Sequence, residues 1–353
     1  MTTVYDLGAD ELAGRLAGWG EPAFRARQVY GHLWRRGAIY EEMPDVPKAL
    51  RARLAVDLPI AVDVLEEREA DGGATRKALL RLGGRHVIET VVMGYRSRVT
   101  VCVSTQSGCA MGCEFCATGQ MGLRNNLTAG EMAAQVLWGK REATRLPATT
   151  PRRLTNVVFM GMGEPLANER QTFGALERLT DPLGLGLGDR HITVSTVGVV
   201  PAIGRLGERF PQVGLAVSLH AATDELRSEL VPANRLWSLG VLEEAVAAWR
   251  ERTHRRPSIE WAMIADTNDS DDQAERLVPI ALRLHAHVNL IPLNPTPGWP
   301  TEPSPPSRIR RFAALLQDAG VNVTIRDTRG RTIRAACGQL HAEHEGNPAA
   351  ATG

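Results

Sequence analysis

At 353 residues, with 43% hydrophobic and 23% charged side chains, the chain is long enough for one large α/β barrel or two ordinary domains and can bury a sizeable core. A formal charge of +1 excludes a global field that would draw the protein onto nucleic acid, so any such attraction has to be local. The sequence has no run of about 18 apolar residues and no basic start followed by an apolar stretch, so it reads as cytoplasmic and unconnected with membranes. Its five cysteines, an odd number with three clustered, argue against a disulfide framework and for metal or redox chemistry.

Along the chain, Leu12, Leu16 and Trp19, then Val29, Leu33 and Trp34, recur at helical spacing and predict a small helical module over residues 1–58. Within it Arg25, Arg27, Arg35, Arg36, Lys48, Arg51 and Arg53 outnumber Glu41, Glu42 and Asp45, which describes either a solvated helical face or a basic surface for nucleic acid. Residues 59–94 read as a small β extension or linker, with Gly-Gly turns at 72–73 and 83–84.

From 95 to 340 the pattern changes. "VTVCVS" (99–104), "NVVFMG" (156–161), "HITVSTV" (191–197), "VGLAVSLH" (213–220), "SIEWAMI" (258–264), "HVNLIPL" (287–293) and "VNVTIRD" (321–327) are short β-branched runs. Helical segments such as "LGVLEEAVAAWRERT" and "IRRFAALLQDAG" separate most of them, and Thr128 with Glu131 forms the capping box of another helix. Strand, loop and helix repeated some six times predict an α/β fold, a partial (βα)6-type barrel whose chemistry lies at the carboxyl ends of the strands. Residues 341–353 are polar and small and predict a disordered tail, where His341 and His344 are poor metal ligands.

"SGCAMGCEFCATGQ" places Cys109, Cys113 and Cys116 in a C-x3-C-x2-C row. A structural zinc site needs a fourth ligand; Cys102 or Cys337 could supply one, but there is no second C-x2-C pair and no nearby histidine in sequence. An iron–sulfur cluster is the better fit, since three thiolates on a [4Fe–4S] cube leave one iron open to a substrate or cofactor.

That row, with Phe115 before its last cysteine and a strand before it, resembles the radical S-adenosylmethionine (SAM) superfamily. Together with "VFMGMGEPL", "STVG", "VSLHA", "LIPLNP" and "RDTRGRTIRAACGQL", in that order, it closely resembles the RlmN/Cfr family of radical SAM RNA methyltransferases over roughly residues 20–341. The resemblance implies one three-cysteine [4Fe–4S] cluster and two SAM molecules per turnover. It implies that Gly163 and Glu164 meet the SAM ammonium group, that Ser195, Ser218, Leu219 and His220 add contacts, and that Asn294 reads the adenine.

Cys337 and Cys102 would otherwise be small buried hydrophobes. The resemblance gives them roles: Cys337 takes a methyl group from SAM, a 5′-deoxyadenosyl radical removes a hydrogen from it, the thiomethylene radical adds to adenine, and after the adduct loses a proton and an electron Cys102 attacks the Cys337 sulfur to release methyladenosine and leave a disulfide. Glu89, in "VIETVVM", matches the family's proton acceptor; read by itself it is a surface carboxylate of a strand edge. Arg326, Arg329, Arg331 and Arg334 crowd the segment that carries Cys337 and could meet RNA phosphates, the target base leaving its stack to be modified.

The implied partners are 23S rRNA and tRNA, with methylation at adenosine C2, an electron donor such as flavodoxin or ferredoxin, and a monomeric enzyme. Methylation at C8, as by a Cfr-like enzyme, stays open, as does a radical SAM enzyme acting on a peptide or metabolite and, more remotely, a zinc-binding interaction module. Thr332 and Arg334 stand where acidic residues are common in the family, Leu236-Trp237 where a basic–aromatic pair is frequent, and Trp261 where Tyr is common; these departures bear on RNA choice.

Overall fold

The structure is a computed structural model that describes residues 2–296, 299, 301–326, 329–335 and 338–340. Cys337, Asp327 and the tail from 341, with His341 and His344, lie outside the described residues.

Three short helices begin the chain: α1 (Ala9–Ala17), α2 (Ala23–Gly31), which runs into a wider turn at His32–Arg36, and α3 (Lys48–Asp57). Their apolar faces converge on Trp34, fully buried with Tyr5 and Tyr30 at 5.6 and 5.7 Å between ring centroids. The basic run is largely engaged within this region. Arg25 donates to the Asp45 carbonyl, Arg51 to the Glu41 carbonyl, and Arg53 stacks on Trp19, whereas Arg27 and Lys48 are exposed.

An antiparallel meander follows: β1 (Val62–Ala70), β2 (Thr75–Leu82) and β3 (His86–Gly94). Next come β4 (Val99–Cys102), a two-stranded hairpin of β5 (Gln106–Gly108) and β6 (Leu123–Asn126), and the one-turn α4 (Ala117–Gln120) between the hairpin strands. Then α5 (Ala129–Ala143), β7 (Asn156–Phe159), α6 (Glu169–Thr180), β8 (Ile192–Thr196), α7 (Val200–Arg209) and β9 (Gly214–Ser218) alternate. The chain continues through α8 (Asp224–Leu230), α9 (Leu239–Thr253), β10 (Ser258–Met263), α10 (Asp271–Leu284), β11 (His287–Pro292), α11 (Pro306–Asp318) and β12 (Asn322–Ile325).

One sheet takes ten of these strands in the order β1-β2-β3-β4-β7-β8-β9-β10-β11-β12. From β4 onward the strands are parallel, with helices between them, so the α/β partial barrel is observed. The last parallel strand, β12, falls in the seventh run that the sequence marks, "VNVTIRD" (321–327). The meander continues the same sheet, because β3 hydrogen-bonds β4 in antiparallel register from Val91↔Cys102 to Gly94↔Val99.

The first helix after the hairpin confirms its sequence signature: Glu131 N–H donates to Thr128 Oγ1 at 3.1 Å, and the Glu131 carboxylate accepts from Thr128 N–H at 2.9 Å. Asp6 adds a second link to that helix start, accepting from Gly130 N–H at 2.9 Å. Trp261, one of the departures from the family pattern, is wholly buried against Phe312, so any effect it has on RNA choice is indirect. Thr332, Arg334 and Leu236 are exposed. No helix among the described residues is long and apolar enough to cross a membrane.

Candidate active site at the carboxyl ends of the strands

The cysteine row hangs between β5 and β6. Cys109 N–H donates to the Gly122 carbonyl at 3.0 Å, closing the loop at its base, and Cys116 N–H reaches back to the Cys113 carbonyl at 3.2 Å. A Cβ on Gly119 would lie 2.6 Å from that same Cys113 carbonyl oxygen, so only glycine permits this fold of the loop.

Cys109 and Cys113 are buried and Cys116 is partly so; Cys113 and Cys116 pack on an apolar shelf with Phe115, Leu230 and Val231. Burial pushes the Cys109 thiol up to about 12, with Glu164 and Cys116 adding to it and the Met111 N–H opposing. The Cys113 thiol is driven up by burial and by the two other cysteines, with Arg227 opposing. Three thiolates so close are stable only with cationic metal beside them.

The donor set fits a metal cluster in kind, since a cube would take each thiolate on a different iron; among the described residues no three His, Cys, Asp or Glu side chains are gathered closely enough for a single ion.

Above the loop lies a cavity formed by the ends of β7 to β11. Gly163, with φ of +96°, packs so closely on Gln106 that a Cβ would stand 2.5 Å from the Gln106 Cβ. The next residue, Glu164, turns its carboxylate inward. Its oxygens accept from Leu166 N–H and Val197 N–H, both at 2.9 Å, and Gln106 Oε1 holds its own N–H at 2.8 Å. Burial nevertheless raises Glu164 to about 7, against the pull of the Val197, Leu166 and Thr196 hydrogen bonds. A carboxylate so placed is stabilised by an incoming ammonium group.

Ser195 and Ser218, at the ends of β8 and β9, face each other with 3.4 Å between hydroxyl oxygens. His220 follows in a left-handed conformation, φ +64°. Its Nδ1 accepts from Ala262 N–H at 3.0 Å, which assigns the ring proton to Nε2, and its ring meets the edge of Phe115 at 4.8 Å. Burial holds the imidazole neutral, lowering it to about 3. Asn294 is buried on the same wall.

Thus the three cysteines, Gly163, Glu164, Ser195, Ser218, His220 and Asn294 line one cavity. Leu219 does not: its side chain packs in the core, and only its backbone takes part, accepting from Arg227.

Sequence reasoning passed over two buried charges here. Arg227 donates to the carbonyls of Leu219, Val197 and Ser218 and to Asn234 Oδ1, tying the ends of β8 and β9 together. Glu260, on β10, lines the cavity and accepts from Asn289 Nδ2 at 2.8 Å, with Arg326 at 3.5 Å. The strings "ELRSEL" and "SIEWAMI" carry no sign of either role.

A second group forms on the meander. Lys77, Val91 and Cys102 stand opposite one another across β2, β3 and β4, hence on one sheet face, and Glu89 shares that face two residues from Val91. Glu89 is buried, with Oε1 2.6 Å from Lys77 Nζ; the surface carboxylate that its sequence alone suggested is not what the fold produces. Its backbone is tied to the cavity rim: its N–H contacts Met162 Sδ at 3.4 Å, and its carbonyl accepts from Ser104 Oγ, which itself accepts from Met162 N–H.

Described residues on both sides of Cys337 are anchored. The Arg334 carbonyl accepts from Lys77, the Gly338 carbonyl from Ala117 N–H at 2.8 Å, and the Leu340 carbonyl from Thr118 Oγ1 at 2.6 Å.

Comparison with known proteins places the chain in a family. Residues 103–278 match the radical SAM superfamily, and residues 2–60 match the ribosomal RNA large subunit methyltransferase N-terminal domain. A protein of Salinispora tropica named probable dual-specificity RNA methyltransferase RlmN is 51% identical over 340 residues, 94% of this chain and 91% of that one. A protein of Chloroflexus aurantiacus with the same name is 48% identical over 97% of this chain and 93% of its own. The crystal structure of a radical SAM methyltransferase from Sphaerobacter thermophilus superposes with a TM-score of 0.93 at 48% identity, covering 97% of this chain and all of the other.

Proposed function

We propose, from the premise that this chain belongs to the RlmN family of the radical SAM superfamily, that it methylates C2 of an adenosine in 23S rRNA and of the adenosine beside the anticodon in tRNA. It is an enzyme that methylates RNA, and its cofactors are a [4Fe–4S] cluster and SAM. The observation that carries the finer reading is the single cavity in which a three-cysteine loop faces Glu164, Ser195, Ser218, His220 and Asn294.

Cys109, Cys113 and Cys116 would hold three irons and leave the fourth to the SAM methionine group. When bound, the cluster and SAM supply a 5′-deoxyadenosyl radical by one-electron cleavage of the sulfonium. Glu164, fixed by two backbone N–H groups, receives the SAM ammonium; the Ser195 and Ser218 hydroxyls and the His220 Nε2–H provide further donors, and Asn294 reads the adenine. The apolar shelf around Phe115 excludes water from the radical.

Cys337 carries the methyl group to the RNA base, Glu89 accepts the ring proton as the adduct gives up one electron, and Cys102, on the face shared with Glu89, attacks the Cys337 sulfur to release product and leave a disulfide. Residues 1–58 contact RNA through exposed cations such as Arg27 and Lys48, residues 59–94 present Glu89, and 95–340 perform the radical chemistry. The enzyme works as a cytoplasmic monomer that takes electrons from a flavodoxin or ferredoxin.

Anaerobic reconstitution with iron, sulfide, SAM, a reductant, and rRNA fragments or tRNA, followed by nucleoside analysis, tests this. 2-Methyladenosine in both RNAs is expected. 8-Methyladenosine alone would overturn the C2 assignment, and intact SAM with a colourless protein would remove the radical reading altogether.

A further inference from the structure

Two basic residues side by side on β2 have different surroundings. Arg76 is matched to carboxylates of the meander and of α5, Glu67, Glu69 and Glu142, an arrangement that braces the sheet on its helix. Lys77 points to the other face, the face of Cys102. There its ammonium donates to Glu89 Oε1 at 2.6 Å and to the Arg334 carbonyl at 3.2 Å, and both Lys77 and Glu89 are buried.

A buried ion pair is a poor stabiliser, because desolvating both groups offsets most of their attraction. Without a cation beside it, however, a buried carboxylate keeps its proton and can accept no other. An ammonium with three donors can meet two acceptors at once, and here those two belong to the candidate proton acceptor and to the segment that leads to Cys337.

We propose that Lys77 is a positioning residue of the methyl transfer: it holds Glu89 as an aimed carboxylate and fastens the C-terminal segment over the sheet face that carries Cys102. The first half rests on Glu89 being the proton acceptor. In that step one proton leaves the ring carbon, the Glu89 carboxylate becomes the neutral acid, Lys77 remains an ammonium, and the pair passes from zero net charge to +1. Lys77 exchanges no atom with the substrate. The backbone tie is to Arg334, three positions before Cys337 in the chain, so one side chain links the acceptor to the segment that carries the methyl carrier.

The test compares full-length Lys77→Met, Lys77→Arg and Glu89→Gln with the parent. In cluster-free protein, hydrogen–deuterium exchange over residues 329–340 is expected to quicken in Lys77→Met and to stay at the parent rate in Glu89→Gln. In reconstituted enzyme, Lys77→Met should retain iron content and SAM cleavage while methylated RNA falls roughly 10²-fold, the low end of what a positioned proton acceptor contributes. A covalent RNA–protein adduct should accumulate in its place, and Lys77→Arg should restore product. Parent-level methylation and unchanged exchange in Lys77→Met would overturn the proposal. Normal turnover by Glu89→Gln would instead remove Glu89 as the acceptor and leave the fastening role to the exchange data. If Lys77→Met does not fold, Lys77→Gln replaces it: adduct accumulation is expected, and a parent-like ratio of product to adduct sinks the proposal.

Discussion

Cys109, Cys113 and Cys116 sit on a loop closed by two backbone hydrogen bonds and shaped by glycine, whereas Cys102 stands within a β-strand locked between two neighbours. The loop gathers thiols where burial raises the proton affinity of Cys109 and Cys113, so metal binding there has to displace those protons. The strand does something different: it fixes one sulfur among the groups of β2 and β3, so that its position does not depend on what fills the cavity. A site that assembles a cofactor can tolerate a loop that orders on binding. A thiol that must meet another sulfur at a given moment gains from a rigid support.

The contrast is broken most severely by Cys113→Ala. Iron and sulfide analysis should find no stable cluster, and both SAM cleavage and RNA methylation should be lost. Cys102→Ala, by contrast, should retain the cluster and cleave SAM normally, yet stop after one encounter with RNA; a denaturing gel should show the trapped adduct. Clean release of product by this variant would separate Cys102 from the resolving step.

Glu164 sharpens the comparison through pH. Its folded value of about 7 lies above the ordinary 4.5, so in ligand-free protein it favours folding at low pH and that stability is lost as pH rises through about 7. SAM affinity should move the other way, increasing as pH rises through about 7 and the carboxylate ionises to meet the ammonium. Glu164→Gln should flatten this profile and weaken SAM binding by about 10- to 100-fold, as loss of a charge-assisted hydrogen bond implies. Calorimetry across pH 6 to 8 checks it.

The smallest effect is expected far from both cysteine groups. Arg27→Glu with Lys48→Glu should leave SAM cleavage unchanged and reduce the salt dependence of RNA binding by about 1 in slope per lost phosphate contact. Deleting the helices instead would be uninformative, because Trp34 and its neighbours share one core with the barrel.

Much of this was legible in the sequence. "HITVSTV" gave a strand that the structure bounds at Ile192–Thr196, and the Gly-Gly pairs at 72–73 and 83–84 do turn the meander. The β5–β6 hairpin was missed because "LRNN" is exposed along its length and shows no alternation. Glu89 was ambiguous for a related reason: "VIETVVM" has the same pattern at a sheet edge or in its middle, and the partner that decides, Lys77, comes from another strand.

The sequence by itself determined the rhythm of strands and helices and the spacing of the cysteines, since both are written in residues close along the chain. Only the tertiary structure decided that Arg227 and Glu260 are buried beside the cavity, that Leu219 turns away from it, and that Lys77 spans Glu89 and the Arg334 carbonyl. Burial and charge pairing depend on which distant segments the sheet register brings face to face, and no local pattern of side chains encodes that.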